Sequence, residues 1–546
     1  MLDVSDHACL GIVHIVNMVL GRGAIPDCKF FNEFHSGSIA GMGFIVKKPQ
    51  VSKYITMIVL FNDSPQYPNR SIGVYRIATV LRKLGAEVEV IDYMAGWAYA
   101  RDKLFAYLDK IDDVEWWGFS GRFNVPNSIM AVDGVEQPWF VGGNSTPKEF
   151  ETQVIQYIKN RRGKIVLGGP NAYALAKFLP EGYVDYICQG YSDTGIIALH
   201  EHIKTGAPIK SVAVKDFEVI DCNQDYAEID LTDIDVEYHY TDFLEDEEVF
   251  PIEIGRGCIF SCAFCSSPHI GKKAGTYIRP KESIKKDIVD RYTRYHTTRF
   301  LFLDDTFNDS VEKMELIKEI RDETGIPFEF WAYGRLELLM ANPRMVDLMG
   351  EIGWKSVSFG IETFTKSSGS SVGKGAKPEK VQQFLIGLRE RYPDLSIMVN
   401  LIAGLPDDTK ETILATYQWF KDNPTVASQI KIQKLSIQIP NSKSMVSKIS
   451  QNPQKYGYEI KPMRKPIMLM NWVNRTGMTQ REAKELVDQI QGEIDRNWVP
   501  TEYNRSMIPK NKWIISENGL YTIDFGNMVN RYIAKKLAYR GVGKNV

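Results

Sequence analysis

Hydrophobic and polar positions follow two periods along this chain. Short apolar runs bounded by Gly, Pro or polar residues predict buried strands, and longer segments with apolar positions three or four residues apart predict helices. The two patterns alternate between residues 54 and 215, which predicts an open parallel sheet with helices on both faces and ligands at the carboxyl ends of the strands. The predicted strands are Ile55–Phe61, Glu87–Asp92, Trp116–Ser120, Lys164–Leu167 and Val184–Cys188.

The alternation returns with a longer repeat between residues 249 and 444. Asn342-Pro343 and Lys377-Pro378 are typical helix starts in this segment, because proline is tolerated in the first helical turn. Six strand-and-helix units make three quarters of a (β/α)8 barrel, in which the chemistry belongs at the carboxyl ends of the strands. The six predicted strands are Phe250–Ile254, Arg299–Leu303, Phe328–Tyr333, Ser356–Ile361, Ile397–Ile402 and Ile430–Ile437.

Three segments do not follow this alternation. Residues 1–53 are an extension of unknown role, and residues 445–546 are a mainly helical C-terminal extension. Residues 216–248 are strongly acidic, and we expect a solvated linker that packs along the second domain, with a lid over an active site as the alternative. The predicted fold is therefore α/β, with an open Rossmann-like sheet domain, a partial (β/α)6 barrel of the TIM type and a helical extension.

Composition limits the classes of partner. The 546 residues carry a formal net charge of -2, which gives no electrostatic reason to expect a nucleic acid. The apolar stretch at residues 8–20 is short for a membrane span and has no basic leader, so we expect no membrane and a cytoplasmic location. Seven cysteines, three of them clustered, do not form a disulfide framework in a chain of this kind. The cluster of cysteines therefore indicates a metal site.

The clustered cysteines follow directly on the first predicted barrel strand. Cys258, Cys262 and Cys265 have the spacing C-x3-C-x2-C. Thiolates that lie together in one loop are the ligands of iron–sulfur clusters, and three cysteines for four irons leave one iron open to a substrate or cosubstrate. A zinc site with His269 as the fourth ligand, or three incidental thiols, are the alternatives.

This spacing, with Phe264 before the last cysteine, resembles the signature of the radical S-adenosylmethionine (SAM) superfamily. The resemblance implies a [4Fe–4S] cluster that binds SAM and cleaves it to a 5′-deoxyadenosyl radical, with Phe264 against the adenine. Residues at later strand ends match further landmarks of the family and are implied to contact SAM. They are Asp304, Asp305, Thr306, Arg335, Gly360 and Glu362, and they are followed by the landmarks Lys374-Gly375 and Gly404–Thr409.

The order of the two domains resembles that of cobalamin-binding radical SAM proteins. The residues that carry this resemblance, and that are implied to line a corrin-binding face, are Ser120, Gly168, Gly169 and Gly190. The family's Gly-Glu-Gly-Glu has become Gln189-Gly190-Tyr191-Ser192, with an acid only at Asp193. The motif Asp-x-His-x-x-Gly, whose histidine binds cobalt in other cobalamin enzymes, is absent, as it is in many radical SAM relatives. The domain therefore either binds cobalamin or has kept the fold without the cofactor.

The resemblance implies an enzyme that modifies an unreactive carbon, by cobalamin-assisted methyl transfer or by radical rearrangement or cyclisation. It further implies a small-molecule substrate and an electron donor such as flavodoxin or ferredoxin. One alternative is a tRNA methylthiotransferase, which would carry a second cluster on three cysteines of the N-terminal domain, where only Cys188 lies here. A non-enzymatic iron–sulfur redox sensor is the other alternative.

Overall fold

The computed structural model describes most of the chain after residue 56. The described residues belong to one compact unit, which spans Ile55–Val546. The extension predicted at residues 1–53 lies outside them. The described residues are 57–62, 64, 70–120, 148–169, 172, 181–226, 231, 234–267, 270–438, 446–461, 470–497, 513–515, 521–523 and 525–542.

Seven strands form the first sheet, in the order β2-β1-β3-β4-β5-β7-β6. All neighbouring strands are parallel except β6 and β7. The strands are β1 (Met57–Phe61), β2 (Glu87–Ile91), β3 (Val114–Ser120), β4 (Lys164–Gly169), β5 (Tyr186–Gln189), β6 (Val212–Val214) and β7 (Phe217–Asp221). The helices are α1 (Ile72–Lys83), α2 (Met94–Ala98), α3 (Arg101–Leu108), α4 (Lys148–Lys159) and α5 (Gly195–Thr205).

Alternate side chains of β1 enter two different cores. Ile58 and Leu60 pack in the core that holds α1, whereas Val59 and Phe61 pack in the core that holds α3. Successive residues of a strand point to opposite faces, so helices cover both faces of this sheet. The predicted open α/β domain is confirmed.

Six parallel strands in sequential order form the second sheet, as predicted for a partial barrel. Asn342 caps α9 by accepting a hydrogen bond from the backbone N–H of Arg344, and Pro343 occupies the first turn as expected. The strands are β8 (Phe250–Glu253), β9 (Arg299–Leu303), β10 (Glu329–Gly334), β11 (Trp354–Glu362), β12 (Ser396–Ala403) and β13 (Gln429–Lys434). The helices are α6 (Lys281–Tyr295), α7 (Val311–Thr324), α8 (Leu336–Ala341), α9 (Pro343–Glu351), α10 (Lys366–Ser371), α11 (Pro378–Arg391) and α12 (Lys410–Asp422).

The acidic segment between the two sheets differs from the solvated linker that we expected at residues 216–248. Its first residues are β7, which pairs with β5 and extends the first sheet past residue 215. Farther along, Asp235 and Glu248 are buried. Lys83 Nζ lies 2.7 Å from Asp235 Oδ1, and Arg70 Nε lies 2.6 Å from Glu248 Oε1. Because a buried carboxylate needs a charged or hydrogen-bonding partner, basic residues of the first domain hold these acids in place.

Aromatic contacts place the same segment between the two domains. The ring of Tyr238 lies 5.0 Å from that of Tyr75 in α1 and 5.6 Å from that of Phe250 in β8. Arg291 of α6 stacks on Tyr238 from the barrel side, 4.9 Å from the ring centre. The segment is therefore part of the domain interface.

The C-terminal extension returns to both domains. In the barrel, Gln491 Oε1 accepts a hydrogen bond of 3.1 Å from the backbone N–H of Ile432 on the edge strand β13. In the first domain, Tyr532 packs beside the end of β2, where its hydroxyl accepts the N–H of Asp92 at 2.9 Å. The elements are α13 (Lys448–Gln451), β14 (Glu459–Lys461), β15 (Asn471–Val473), α14 (Gln480–Asn497), β16 (Trp513–Ile515), β17 (Tyr521–Ile523) and α15 (Phe525–Tyr539).

Among the described residues, no helix combines the length and the apolar character needed to cross a bilayer.

Candidate active site at the carboxyl ends of the barrel strands

The cysteine loop leaves β8 through a tight turn at the carboxyl end of the barrel. Gly257 has φ +85°, a left-handed conformation that favours glycine. A Cβ on Gly255 would lie 2.8 Å from the carbonyl oxygen of Tyr277 and 2.9 Å from Asp304 Oδ2. Both glycines are therefore needed to bring Cys258 to this end of the barrel.

Hydrogen-bond donors surround the sulfurs of the first two cysteines. Thr306 Oγ1 donates to Cys258 Sγ at 2.8 Å, and the backbone N–H of Phe260 donates to the same sulfur at 3.4 Å. Arg335 Nη1 lies 3.3 Å from Cys262 Sγ. Hydrogen-bond donors beside the sulfurs are a common feature of the cysteine ligands of iron–sulfur clusters. The surroundings of Cys258 and Cys262 therefore fit metal ligands.

The third cysteine is joined to the second by a turn. The backbone N–H of Cys265 donates to the carbonyl of Cys262 at 3.1 Å. Burial raises the pKa of the Cys265 thiol to about 11. A thiol with so high a pKa is unreactive by itself and becomes a thiolate when a metal displaces its proton.

The three cysteines are candidate ligands of an iron–sulfur cluster or of a zinc ion. No three His, Cys, Asp or Glu side chains among the described residues converge closely enough to hold one metal ion. A tetrahedral zinc site requires that convergence, whereas each cysteine of a cubane cluster binds a different iron. His269, the fourth ligand of the zinc alternative, lies outside the described residues. This geometry therefore does not test zinc against a cluster.

Asp304, which was predicted to contact SAM, is engaged inside the barrel. Its carboxylate accepts hydrogen bonds from Lys313 Nζ and from the backbone N–H of Thr306, both at 2.9 Å. Lys313 Nζ also lies 2.8 Å from Asp309 Oδ1, and Asp309 Oδ2 lies 3.1 Å from Nζ of Lys272 in the cysteine loop. These four charged side chains are at most 2% exposed. The network ties the cysteine loop to β9, and a direct contact between Asp304 and SAM stays a prediction.

Asp305 accepts hydrogen bonds from residues on both sides of the three cysteines. Its Oδ2 accepts the backbone N–H of Gly257 at 2.8 Å and the hydroxyl of Ser267 at 3.3 Å. Burial, with the neighbouring Asp304 adding to it, raises the pKa of this carboxyl. The contact predicted between Asp305 and SAM is not tested by these hydrogen bonds.

The end of β11 combines strained backbone with buried charge. Glu362 has φ +67°, and the pairing of β11 with β12 shifts register between Gly360 and Glu362. Lys374 Nζ lies 3.5 Å from Glu362 Oε1 and donates to the carbonyl of Gly360 at 2.6 Å. A Cβ on Gly360 would lie 2.3 Å from Glu362 Oε1. Strain of this kind in a non-glycine residue is common at functional sites, and burial raises the pKa of Glu362.

Arg335 lies against the cysteine loop. Its guanidinium stacks on Phe260, 4.0 Å from the ring centre, and its Nη2 donates to the carbonyl of Gly373 at 3.2 Å. Its Nε lies 2.8 Å from Glu337 Oε2. Phe264 is half-buried and packs against the barrel core. We had not predicted Phe260, Gly373 or Glu337, because their roles depend on contacts between different loops, although Phe260 stands between the cysteines in the motif.

The four residues predicted for the corrin-binding face meet at one edge of the first sheet. Ser120 ends β3 and is the register partner of Gly168 in β4. The backbone N–H of Gly190, just after β5, donates to the carbonyl of Gly169 at 3.2 Å. Among the described residues, a Cβ added to Gly168 would meet one atom within 4 Å, the Phe119 carbonyl oxygen at 4.0 Å. These residues lie at the carboxyl ends of the strands, where ligands of such sheets bind, and their contact with a corrin stays a prediction.

The sequence profile of the radical SAM superfamily matches residues 252–420, which span the barrel from β8 to α12. This segment therefore matches the radical SAM superfamily. The recognition made from the C-x3-C-x2-C spacing is confirmed. An uncharacterized methyltransferase from Pyrococcus horikoshii is 29% identical to the chain over 169 residues, which are 30% of this chain and 35% of that protein. The chain thus spans about a third of the length of the curated relatives that it matches.

Two solved structures resemble nearly the whole chain. TsrM from Kitasatospora setae, a radical SAM methyltransferase solved with cobalamin and a [4Fe–4S] cluster, aligns with TM-score 0.57 and 15% identity over 90% of this chain and 100% of that one. OxsB, a cobalamin-dependent SAM radical enzyme, aligns with TM-score 0.53 and 12% identity over 90% of this chain and 80% of that one. At these identities the comparison shows a common fold, and the predicted fold class is confirmed.

Proposed function

We propose that this protein is a radical SAM enzyme that methylates a carbon of a small-molecule substrate with the help of cobalamin. The observation that carries the proposal is the set of donors aimed at the cysteine sulfurs, from Thr306, Phe260 and Arg335, at the carboxyl end of a radical SAM barrel. The likeness of fold to two cobalamin-dependent enzymes supports the assignment of the second cofactor.

The proposed cofactor-binding residues lie in both domains. Cys258, Cys262 and Cys265 would hold a [4Fe–4S] cluster, whose chemistry would be one-electron cleavage of SAM, and the edge of the first sheet would hold a cobalamin, whose chemistry would be methyl transfer. Thr306 and Arg335 stabilise the sulfurs that hold the cluster. The buried pair of Glu362 and Lys374 presents a carboxylate and an ammonium group to a polar cosubstrate at the end of β11.

The electron and the substrate come from outside the chain. We propose an electron donor of the flavodoxin or ferredoxin class and a substrate that enters between the barrel and the first sheet. Three of the five cysteines in the described part of the chain are the proposed cluster ligands, and the other two, Cys188 and Cys222, are not joined by a disulfide. We therefore propose a reducing compartment, the cytoplasm.

The first experiment measures metal content in protein purified without oxygen and reconstituted with iron, sulfide and hydroxocobalamin. We expect about four irons and about one cobalt per chain. Cys262→Ala should lose the iron and keep the cobalt, because the first sheet is untouched. Gly168→Leu should lose the cobalt and keep the iron, since the new side chain fills the open backbone at the sheet edge. Unchanged iron in Cys262→Ala, or no cobalt in the unaltered protein, would contradict the respective assignment.

The products formed from SAM then distinguish the candidate reactions. With a strong reductant, a methyltransferase should release S-adenosylhomocysteine together with 5′-deoxyadenosine. Release of 5′-deoxyadenosine alone would indicate a rearrangement or cyclisation. Release of neither product from protein with a full iron content would favour a redox sensor.

A further inference from the structure

Arg256 joins the cysteine loop to the first domain. It lies two residues before Cys258 and is buried. Its Nη1 lies 2.7 Å from Asp193 Oδ2 and its Nη2 lies 3.1 Å from Asp193 Oδ1, which is a bidentate contact. Its Nε and Nη2 also donate to the carboxylate of Glu253 at the end of β8. The guanidinium is thus shared between a strand of the barrel and a residue of the other domain.

Asp193 is also held in place by a residue of its own domain. It stands in the loop that follows β5, three residues after Gly190, and its side chain is 11% exposed. Arg76 Nε of α1 lies 2.9 Å from Asp193 Oδ1. Although burial acts to raise it, Arg256 and Arg76 lower the pKa of Asp193 to about 2. The carboxylate is therefore charged and held by two arginines from two domains.

Tyr191 of the same loop adds an aromatic contact. Its ring lies 4.9 Å below the guanidinium of Arg256. Its backbone N–H donates to Asn223 Oδ1 at 3.0 Å, and a Cβ on Gly190 would clash with that asparagine at 2.4 Å. The residues that replace Gly-Glu-Gly-Glu in this chain therefore hold a loop whose Tyr191 and Asp193 both contact Arg256.

We propose that Asp193 and Arg256 are positioning residues that fix the distance between the cysteine loop and the edge of the first sheet. This inference rests on the proposed function, because only a reaction that uses both cofactors requires a fixed distance between the cysteine loop and the edge of the first sheet. The cluster side and the cobalamin side must be correctly placed for transfer between them, and a displacement of about 1 Å in an active site can cost about a hundredfold in rate.

The energetics of the pair favour positioning over simple stabilisation. Burying two charges has a large desolvation cost, so hydrophobic residues of similar size would often stabilise a fold as well or better. A bidentate arginine–carboxylate contact adds geometric specificity that apolar contacts lack. The donors of Arg256 satisfy two carboxylates in fixed directions, and this fixes the loop that begins at Gly257.

The experiment compares Asp193→Asn with Asp235→Asn by hydrogen exchange of the full chain, read on peptides that cover residues 254–265. Asp235 is a matched control because it is also a buried carboxylate between the domains, 3.8 Å from Arg76 Nη1 of α1 and 3.5 Å from Lys286 Nζ of α6, and its charge contacts do not involve the cysteine loop. We expect exchange of the cysteine-loop amides to rise about tenfold in Asp193→Asn, because a charge-assisted contact becomes a neutral one, and to stay unchanged in Asp235→Asn. Arg256→Lys keeps the charge, loses the bidentate geometry and should behave like Asp193→Asn.

A second measurement gives the distance between the two cofactors directly. In protein loaded with both cofactors, pulsed electron paramagnetic resonance between the reduced cluster and cob(II)alamin should give one narrow distance in the unaltered protein and in Asp235→Asn. Asp193→Asn and Arg256→Lys should give a broader or shifted distribution at full iron and cobalt content. Unaltered exchange and an unaltered distance in both variants would overturn the inference. Absence of cobalt from the unaltered protein would count against the proposed function, and hydrogen exchange of the cysteine loop would then decide the inference.

Discussion

The buried ion pair between Lys536 and Glu89 gives the sharpest test of how the C-terminal helix holds the first domain. Lys536 of α15 contacts Glu89 in the middle of β2, and their side chains are 0% and 4% exposed. Tyr107 donates to Glu89 Oε1 at 2.7 Å, and Arg540 lies 3.6 Å from Glu89 Oε2. We predict that Lys536→Met loosens this part of the sheet strongly, because it leaves a buried carboxylate without its main counter-ion.

The size of the destabilisation expected for Lys536→Met depends on the partners that Glu89 keeps. Removing one partner of a buried ion pair costs about 3–5 kcal/mol. Tyr107 and Arg540 stay beside Glu89, so we expect the lower end, about 3 kcal/mol. The double variant Glu89→Gln with Lys536→Met removes the unpaired charge and should recover most of the loss, leaving about 1 kcal/mol. Lys535→Met is the matched control, since Lys535 Nζ lies 4.0 Å from Glu245 and is 44% exposed, and we expect less than about 0.5 kcal/mol there.

Native-state hydrogen exchange is the suitable assay, because unfolding of a chain with several domains is not a single two-state transition. Exchange of the amides of β2 should accelerate about a hundredfold in Lys536→Met, the factor that about 3 kcal/mol gives. An acceleration below about tenfold, or a double variant as fast as the single one, would refute the reasoning. Burial acts to raise the pKa of Glu89, but Lys536 lowers it below its ordinary value. The stabilisation is therefore present at neutral pH and is lost as the pH falls through that lowered pKa.

Two further substitutions test the barrel. Glu362→Ala should keep the cluster and weaken SAM binding, and isothermal titration of SAM into reconstituted protein checks this, with an unchanged binding constant removing Glu362 from the site. Gly404→Ala should destabilise the chain by about 2 kcal/mol, because Gly404 has φ +90° and an added Cβ would lie 2.2 Å from Trp472 Cη2. Gly375→Ala, where a Cβ meets nothing within 4 Å in the described part of the chain, is its control in thermal unfolding, and equal midpoints for the two variants would contradict the packing argument.

The segment Gly404–Thr409 was recognised as a family motif, but its packing role could not be predicted from the sequence. We matched this segment to the family, and the structure shows what it packs against. The carbonyl of Gly404 accepts the hydroxyl of Tyr458 at 2.9 Å, and Asn474 Nδ2 donates to the carbonyl of Asp408 at 2.9 Å. Burial raises the pKa of Asp408 to about 6 although Ser368 and two backbone N–H groups donate to it. The segment anchors the C-terminal extension to the barrel, which no local pattern predicts.

Local signals predicted the barrel strands and the cysteine loop. The predicted second and third barrel strands, Arg299–Leu303 and Phe328–Tyr333, lie within one residue of the observed bounds, because a buried parallel strand is a continuous apolar run that ends in polar residues. The loop of Cys258 could be recognised in the same way, since its three predicted ligands lie within eight residues of one another in the sequence. Properties that depend on neighbours along the chain can be predicted from the chain alone.

Only the tertiary structure decided where the charged side chains find their partners. Asp304 pairs with Lys313 on a helix, and Asp193 pairs with Arg256 from the other domain. Glu248, which lies in the segment that we expected to be a solvated linker, is buried against Arg70, far away in the sequence. A carboxylate looks the same in the sequence whether it meets water, a cosubstrate or a buried arginine. Its role depends on burial and on the partner that the fold brings to it, and those are set by contacts between distant segments.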